Sequence, residues 1–150
     1  LDEWLAKLEA ENDLGIPWKD STGPEVLFHG HCHQKALVGI DPSMEMLNAS
    51  GCRPTDSGAG CCGMAGSFGY EEEHYEISRK IGEERLFPTL RETPMDVIVT
   101  TSGVSCHQQI EHFEGRMSKH IVEVLADRVD TMRSWRPRVT EFGDSRETEA

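Results

Sequence analysis

Basic residues are scarce in this chain of 150: 15 Lys and Arg stand against 27 Asp and Glu, a formal net charge of −12. No basic patch survives that balance, so nucleic acid is not expected as a partner. Long apolar runs are missing too. No stretch reaches the roughly 18 apolar residues of a membrane-spanning helix, and no export-signal pattern opens the chain. There is no phosphate loop, no paired-carboxylate site, no GxGxxG fingerprint after a strand and no paired CxxC of an ordinary zinc motif. The familiar nucleotide-binding and zinc-finger readings fall with them.

What is present is the composition of a soluble globular protein, 37% hydrophobic and 28% charged, long enough for one ordinary core. Because the chain begins with Leu1 rather than Met, it is expected to be a piece of a longer protein. Five cysteines without an export signal are expected as reduced thiols in a cytoplasmic setting, where a cluster of them points to metal or redox chemistry.

Leu1, Trp4, Leu5 and Leu8 recur at the spacing of an amphipathic helix that ends near Gly15, and Pro17 to Pro24 reads as a linker. Residues 1–24 are therefore set apart from a domain at 25–130, and the polar, aperiodic residues 131–150 are expected as a frayed tail. Within the domain, Glu25–His29 is expected as a buried strand and Gln34 to Val38 as a helical turn. Asp41 is read as the N-cap of a helix with Pro42 at its first position. Cys52 to Thr55 is a candidate short strand. Glu71 to Leu86 reads as the longest helix, with Ile77 and Ile81 on its buried side and Phe87-Pro88 closing it. Asp96 to Thr100 is the clearest strand, followed by helices capped by Ser105 and Ser118. Strands alternating with helices predict an α/β fold, a short parallel sheet flanked by helices. In such a fold the cysteine-bearing loops gather at the carboxyl ends of the strands.

Three segments carry the chemistry. Gly58-Ala59-Gly60-Cys61-Cys62-Gly63-Met64-Ala65-Gly66 sets adjacent cysteines in a run with almost no side-chain bulk. Cys32 follows the first strand and Cys106 the clearest one. The reading is one metal–sulfur site held by Cys32, Cys61, Cys62 and Cys106. Backbone N–H groups at Gly60 and Gly63 are free to point at sulfur. His29, His31 and His33 alternate and would share one face of an extended segment. His31 and His33 are candidates to ligate or to donate to a thiolate, and His107 to act on a ligand from behind. Zinc accepts such mixed sulfur and nitrogen sets and stays open as the alternative metal. Cys52 reads as a structural cysteine, a Cys61–Cys62 disulfide as a strained minor possibility. Cysteine nucleophiles beside His33 or His107 are disfavoured, since sequence neighbours do not face each other.

These segments resemble the cysteine-rich CCG domain. The resemblance rests on Cys32 in His-Cys-His-Gln-Lys-Ala, on Cys61-Cys62-Gly63-Met-Ala-Gly-Ser-Phe-Gly-Tyr-Glu, and on Ser102-Gly-Val-Ser-Cys106. That domain occurs in the cysteine-rich subunit of heterodisulfide reductase and in the iron–sulfur subunits of glycolate oxidase and anaerobic glycerol-3-phosphate dehydrogenase. The central motif is most similar to the C-terminal part of fused, FAD-linked D-lactate or D-2-hydroxyglutarate dehydrogenase-like proteins. The resemblance spans about Glu25 to Val129. The family pattern is Cys, Cys-Cys-Gly, then Cys-x-x-Cys, and the first cysteine of the last pair falls on Gly103. With four cysteines in place of five, the resemblance implies one conventional 4Fe-4S cluster and sets disulfide reduction aside.

It further implies an electron-transfer module whose FAD sits in a domain absent from this chain. The partners would be the FAD-binding and ferredoxin-like domains of the parent protein, and the acceptor is left open. The location implied is cytoplasmic, with contact to the inner face of the membrane through the parent complex. No dehydrogenase activity is expected of this chain alone. The alternative is a zinc-binding or metal-free interaction domain of the same parent.

Overall fold

A computed structural model describes residues 2–11 and 15–133. It is an α/β structure built on a four-stranded sheet, all parallel, in the order β2-β1-β3-β4. The strands are β1 (Glu25–His29), β2 (Arg53–Asp56), β3 (Ile98–Thr101) and β4 (Lys119–His120). Among the described residues seven α-helices accompany them: α1 (Asp2–Ala10), α2 (Cys32–Leu37), α3 (Asp41–Ala49), α4 (Tyr75–Glu84), α5 (Leu86–Glu92), α6 (Val104–Glu114) and α7 (Ile121–Arg128). Strand order reverses between β1 and β3, the place where open parallel sheets bind ligands. Among the described residues no helix is long and apolar enough to cross a membrane.

The pleat of β1 sorts the core into two layers. Val26 and Phe28 pack with Met46 and Leu47 of α3 and with Ile121 and Val124 of α7. Ala6 of α1 joins that layer, so the N-terminal helix lies on the domain. Leu27 faces the other way, toward Leu86, Phe87, Leu90, Val99 and Ile110. A central strand buried on both faces needs an apolar run, and Val-Leu-Phe supplies it. At the edge, β2 is largely exposed and tolerates Pro54, whose missing N–H would break an inner ladder. The segment read as a linker is tied down: Lys19 and Asp130 N–H groups donate to Arg128 and Pro17 carbonyls over 2.9 and 2.7 Å.

Several expected boundaries shift. Helix α2 starts at Cys32 rather than Gln34, which ends the extended face that was to align His29, His31 and His33. Ile40, not Asp41, caps α3, and Asp41 is its first residue. The loop after the glycine-rich segment enters α4 through two short 3-10 turns, Phe68–Tyr70 and Glu72–His74. Phe87-Pro88 does not close that helix. The break falls at Arg85 (φ −153°), and Pro88 sits in the first turn of α5, where its missing N–H would go unused. The buried side of α4 carries Ser78 and Gly82, because the Phe87 ring packs directly on Gly82; Ile77 is 49% exposed and Ile81 only half-buried. Gly103 rather than Ser105 caps α6. Ser118 leads instead into the unforeseen β4, and His120 caps α7 by accepting from the Val122 N–H while its own N–H donates to Glu123. The greater part of the expected tail, residues 134–150, lies outside the described residues.

Candidate metal centre

The loops leaving β1, β2 and β3 bring Cys32, Cys61, Cys62 and Cys106 together at one end of the sheet. Their sulfurs form a hydrogen-bonded row in which Cys32 meets Cys61, Cys61 meets Cys62 and Cys62 meets Cys106. Cys62 and Cys106 are buried; Cys61 and Cys32 lie nearer the surface, and all are free thiols with no disulfide between Cys61 and Cys62.

Burial and mutual hydrogen bonding favour the neutral thiol in three of the four. The hydrogen bond that Cys62 gives to Cys106 pushes the Cys62 thiol up to about 11. Its hydrogen bond with Cys62 first, and then burial, raise Cys61 well above the usual thiol range. Burial first, then the nearby Cys61, raises Cys32. Only Cys106 is held below the ordinary thiol value, by the hydrogen bond from Cys62 and, less, by one from Thr101. Four thiolates cannot share this space unless a metal compensates their charge.

Backbone groups also turn toward sulfur. The Gly63 N–H donates to Cys61 Sγ over 3.3 Å, and a backbone hydrogen bond from Met64 reaches Cys62. Gly63 is held at φ +100°, and a Cβ there would run into the Ser78 carbonyl. Gly60 is exposed, with nothing within 4 Å of where its Cβ would lie. Gly103 is filled from outside: a Cβ on it would collide with the His31 ring and lie 3.1 Å from Cys106 Sγ. His31 thus borders the sulfurs, and its Nδ1 accepts from the His33 N–H over 3.2 Å. The exposed His33 side chain and the His31 ring both line a cavity of about 440 Å³, with Gln34, Ser102 and Gly103, that opens beside the site. His107 engages Ser118 Oγ at 2.7 Å and Glu111 at 3.8 Å. Cys52 stands apart in the opposite core layer, accepting from Ser50 Oγ over 3.4 Å.

Two further residues, neither put forward as a ligand candidate from the sequence, border the thiols. His29, at the end of β1, is fully buried, and one of its ring nitrogens lies within 4.8 Å of both the Cys62 and Cys106 sulfurs. Burial first, then the positive charge of Lys35, lowers its pKa to about 4, so the ring is neutral near pH 7. Gln109 of α6 donates from Nε2 to the Cys62 carbonyl and to Ser78 Oγ over 3.0 and 2.9 Å. The position of His29 as the last residue of a strand ahead of Cys32 was the available signal; Gln109 gave none.

A thiol row with a buried nitrogen at its inner end is a soft donor set suited to iron–sulfur clusters or zinc. The model of the cysteine-rich domain family CCG matches residues 26–111. This chain belongs to that family. Over 129 residues the CCG chain is 32% identical to D-2-hydroxyglutarate dehydrogenase of Escherichia coli (strain K12), covering 84% of itself and 12% of that protein. Over 103 residues it is 32% identical to an anaerobic glycerol-3-phosphate dehydrogenase subunit of the same strain, covering 68% of itself and 26% of the relative. The D-2-hydroxyglutarate dehydrogenase of Haemophilus influenzae is 30% identical over 132 residues, 83% of this chain and 13% of that one. The CCG chain therefore spans between about an eighth and a quarter of the curated relatives it matches. No solved structure matches it.

Proposed function

We propose that this cysteine-rich domain is the iron–sulfur electron-transfer part of an FAD-linked oxidoreductase acting on a 2-hydroxy acid of the D-lactate, glycolate or D-2-hydroxyglutarate class. The observation that carries the reading is the continuous row of four thiols at the strand-order reversal. Cys32, Cys61, Cys62 and Cys106 would hold a 4Fe-4S cluster, which supplies a one-electron relay when bound. The Gly63 N–H, aimed at Cys61 Sγ, favours extra negative charge on sulfur in the reduced form. Burial of Cys62 and Cys106 keeps water from the inner half, while the half-exposed Cys32 and Cys61 leave an edge open to a redox partner. His31 and His33 stand at that edge, and His107 steadies the first turns of α6 from behind.

Residues 25–130 are taken as the domain, with α1 and its linker packed on it. The FAD-binding and ferredoxin-like domains belong to the parent protein, in a cytoplasmic setting or at the inner face of a membrane. Zinc is the second reading, favoured by the compact nitrogen–sulfur grouping of His29, Cys62 and Cys106. A redox titration separates them. A reconstituted chain that bleaches reversibly in one-electron steps, yet reduces no dye with D-lactate or D-2-hydroxyglutarate on its own, agrees with an electron-transfer module. A colourless, redox-silent zinc protein overturns it, and substrate-driven dye reduction by this chain alone overturns the division of labour.

A further inference from the structure

His29 lies inside the core at the inner end of the thiol row, with 0% of its surface exposed. Its Nδ1 is 3.1 Å from Ser57 Oγ, at the root of the glycine-rich loop, and that contact fixes the ring plane. Its Nε2 has no hydrogen-bond partner although it is fully buried. A buried polar atom left unpaired costs about 1–3 kcal/mol, so it calls for a partner. Cys62 and Cys106 lie beside the ring: their sulfurs and a His29 ring nitrogen lie within 4.8 Å of one another. A buried histidine with one nitrogen against a hydroxyl, the other unpaired, and two thiols beside its ring has the arrangement of a metal ligand with its orienting partner.

We propose that His29 Nε2 is a direct metal ligand at the inner end of this centre, beside Cys62 and Cys106. This inference rests on the metal–sulfur reading above. With Nδ1–H given to Ser57, the lone pair on Nε2 is free to bind. The centre then has a buried nitrogen–sulfur end and an outer end formed by Cys61 and Cys32. Ser57 is a positioning residue that holds the ring plane.

No variant is needed for the first step of the test. Wild-type chain carrying 15N-labelled histidine is reconstituted anaerobically with iron and sulfide, its iron is counted, and the reduced sample is measured by pulsed EPR. A nitrogen coupling of the size of a directly bound imidazole, switching from the 14N to the 15N pattern on labelling, is the expected result. Iron present with only the weak coupling of an N–H···S contact overturns the ligand assignment and leaves the cluster standing. No iron uptake overturns the cluster reading. Loading with cobalt(II) alone then decides whether the nitrogen binds metal: a Co(II) spectrum with sulfur ligands and no nitrogen defeats the inference. As a second line, Ser57→Ala is expected to keep the nitrogen coupling while weakening cobalt(II) binding by roughly 10-fold or more. Unchanged affinity would remove Ser57 from its positioning role.

Discussion

Gln109 Nε2 donates to the Cys62 carbonyl over 3.0 Å, tying the helix that carries Cys106 to the loop that carries Cys62. The same nitrogen reaches Ser78 Oγ at 2.9 Å, so one amide holds the loop, α4 and α6 in register. Replacing it with an apolar group strands buried acceptors. Gln109→Leu is expected to destabilise the chain by about 1–3 kcal/mol and to lower the iron retained after reconstitution. Urea unfolding and iron analysis of the variant check both, and a variant as stable as wild type would show that the amide fixes nothing.

Gly63 makes a sharper demand. Its φ of +100° and the Ser78 carbonyl beside it leave no room for a methyl group. Gly63→Ala is expected to cost at least about 2 kcal/mol from backbone strain and the forced shift of the loop. Because the Gly63 N–H donates to Cys61 Sγ, that shift also moves the first of the paired cysteines. A thermal melt alongside iron analysis would show a lowered midpoint and reduced iron. An unchanged melt would contradict the described loop.

Cys52 is the internal control. It packs with Phe28, Met46 and Leu47 on the face of the sheet away from the other four cysteines. Cys52→Ala is expected to cost about 1 kcal/mol in packing and to leave iron content and EPR signal as in wild type. Loss of the signal in this variant, with folding intact, would mean that the wrong set of cysteines has been assigned.

Much of this was legible in the sequence, and the reasons differ by residue. The buried strand at Glu25–His29 and the strand near Val99 were plain because a central parallel strand must be apolar throughout. The grouping of Cys32, Cys61, Cys62 and Cys106 followed from each lying just beyond a strand. Two-residue β4 was invisible because its ladder with β3 is set by tertiary pairing, with Thr100 Oγ1 donating to the Lys119 carbonyl over 2.8 Å. Arg116 was not singled out by the sequence. It is buried, with its guanidinium donating to the carbonyls of Leu90, Thr93, Pro94 and Val97 at 2.7–2.9 Å. His29 was passed over in favour of His31 and His33 for a similar reason. Whether His29 comes near the sulfurs as well as His31 depends on where β1 ends and α2 begins, a boundary that local sequence fixes poorly.

The edge of the sheet gives a pH prediction. Lys119 of β4 and Asp127 of α7 lie 2.6 Å apart, both substantially exposed. The hydrogen bond from Lys119 lowers the Asp127 carboxyl below 3.8, and the same bond raises Lys119 above 10.5. The carboxylate's contribution is complete above the unfolded value and is lost as pH falls through the lowered one. The lysine's is complete below 10.5 and is lost as pH rises past the raised value. Solvent screening limits the pair to about 0.2–1 kcal/mol. Asp127→Asn is expected to shift the urea midpoint slightly at pH 7 and at low salt, and to match wild type once the carboxylate is protonated in acid. A difference that persists there would assign the effect to packing.

The central claim is that four thiols at the strand-order reversal hold one iron–sulfur cluster. Anaerobic reconstitution with iron and sulfide, followed by metal analysis and EPR of the reduced chain, tests it most directly when wild type is run beside Cys61→Ser and Cys106→Ser. The account predicts about four irons per wild-type chain and an EPR signal lost in both variants while their folds persist. Zinc in place of iron, no metal at all, or a signal that survives both substitutions would contradict it.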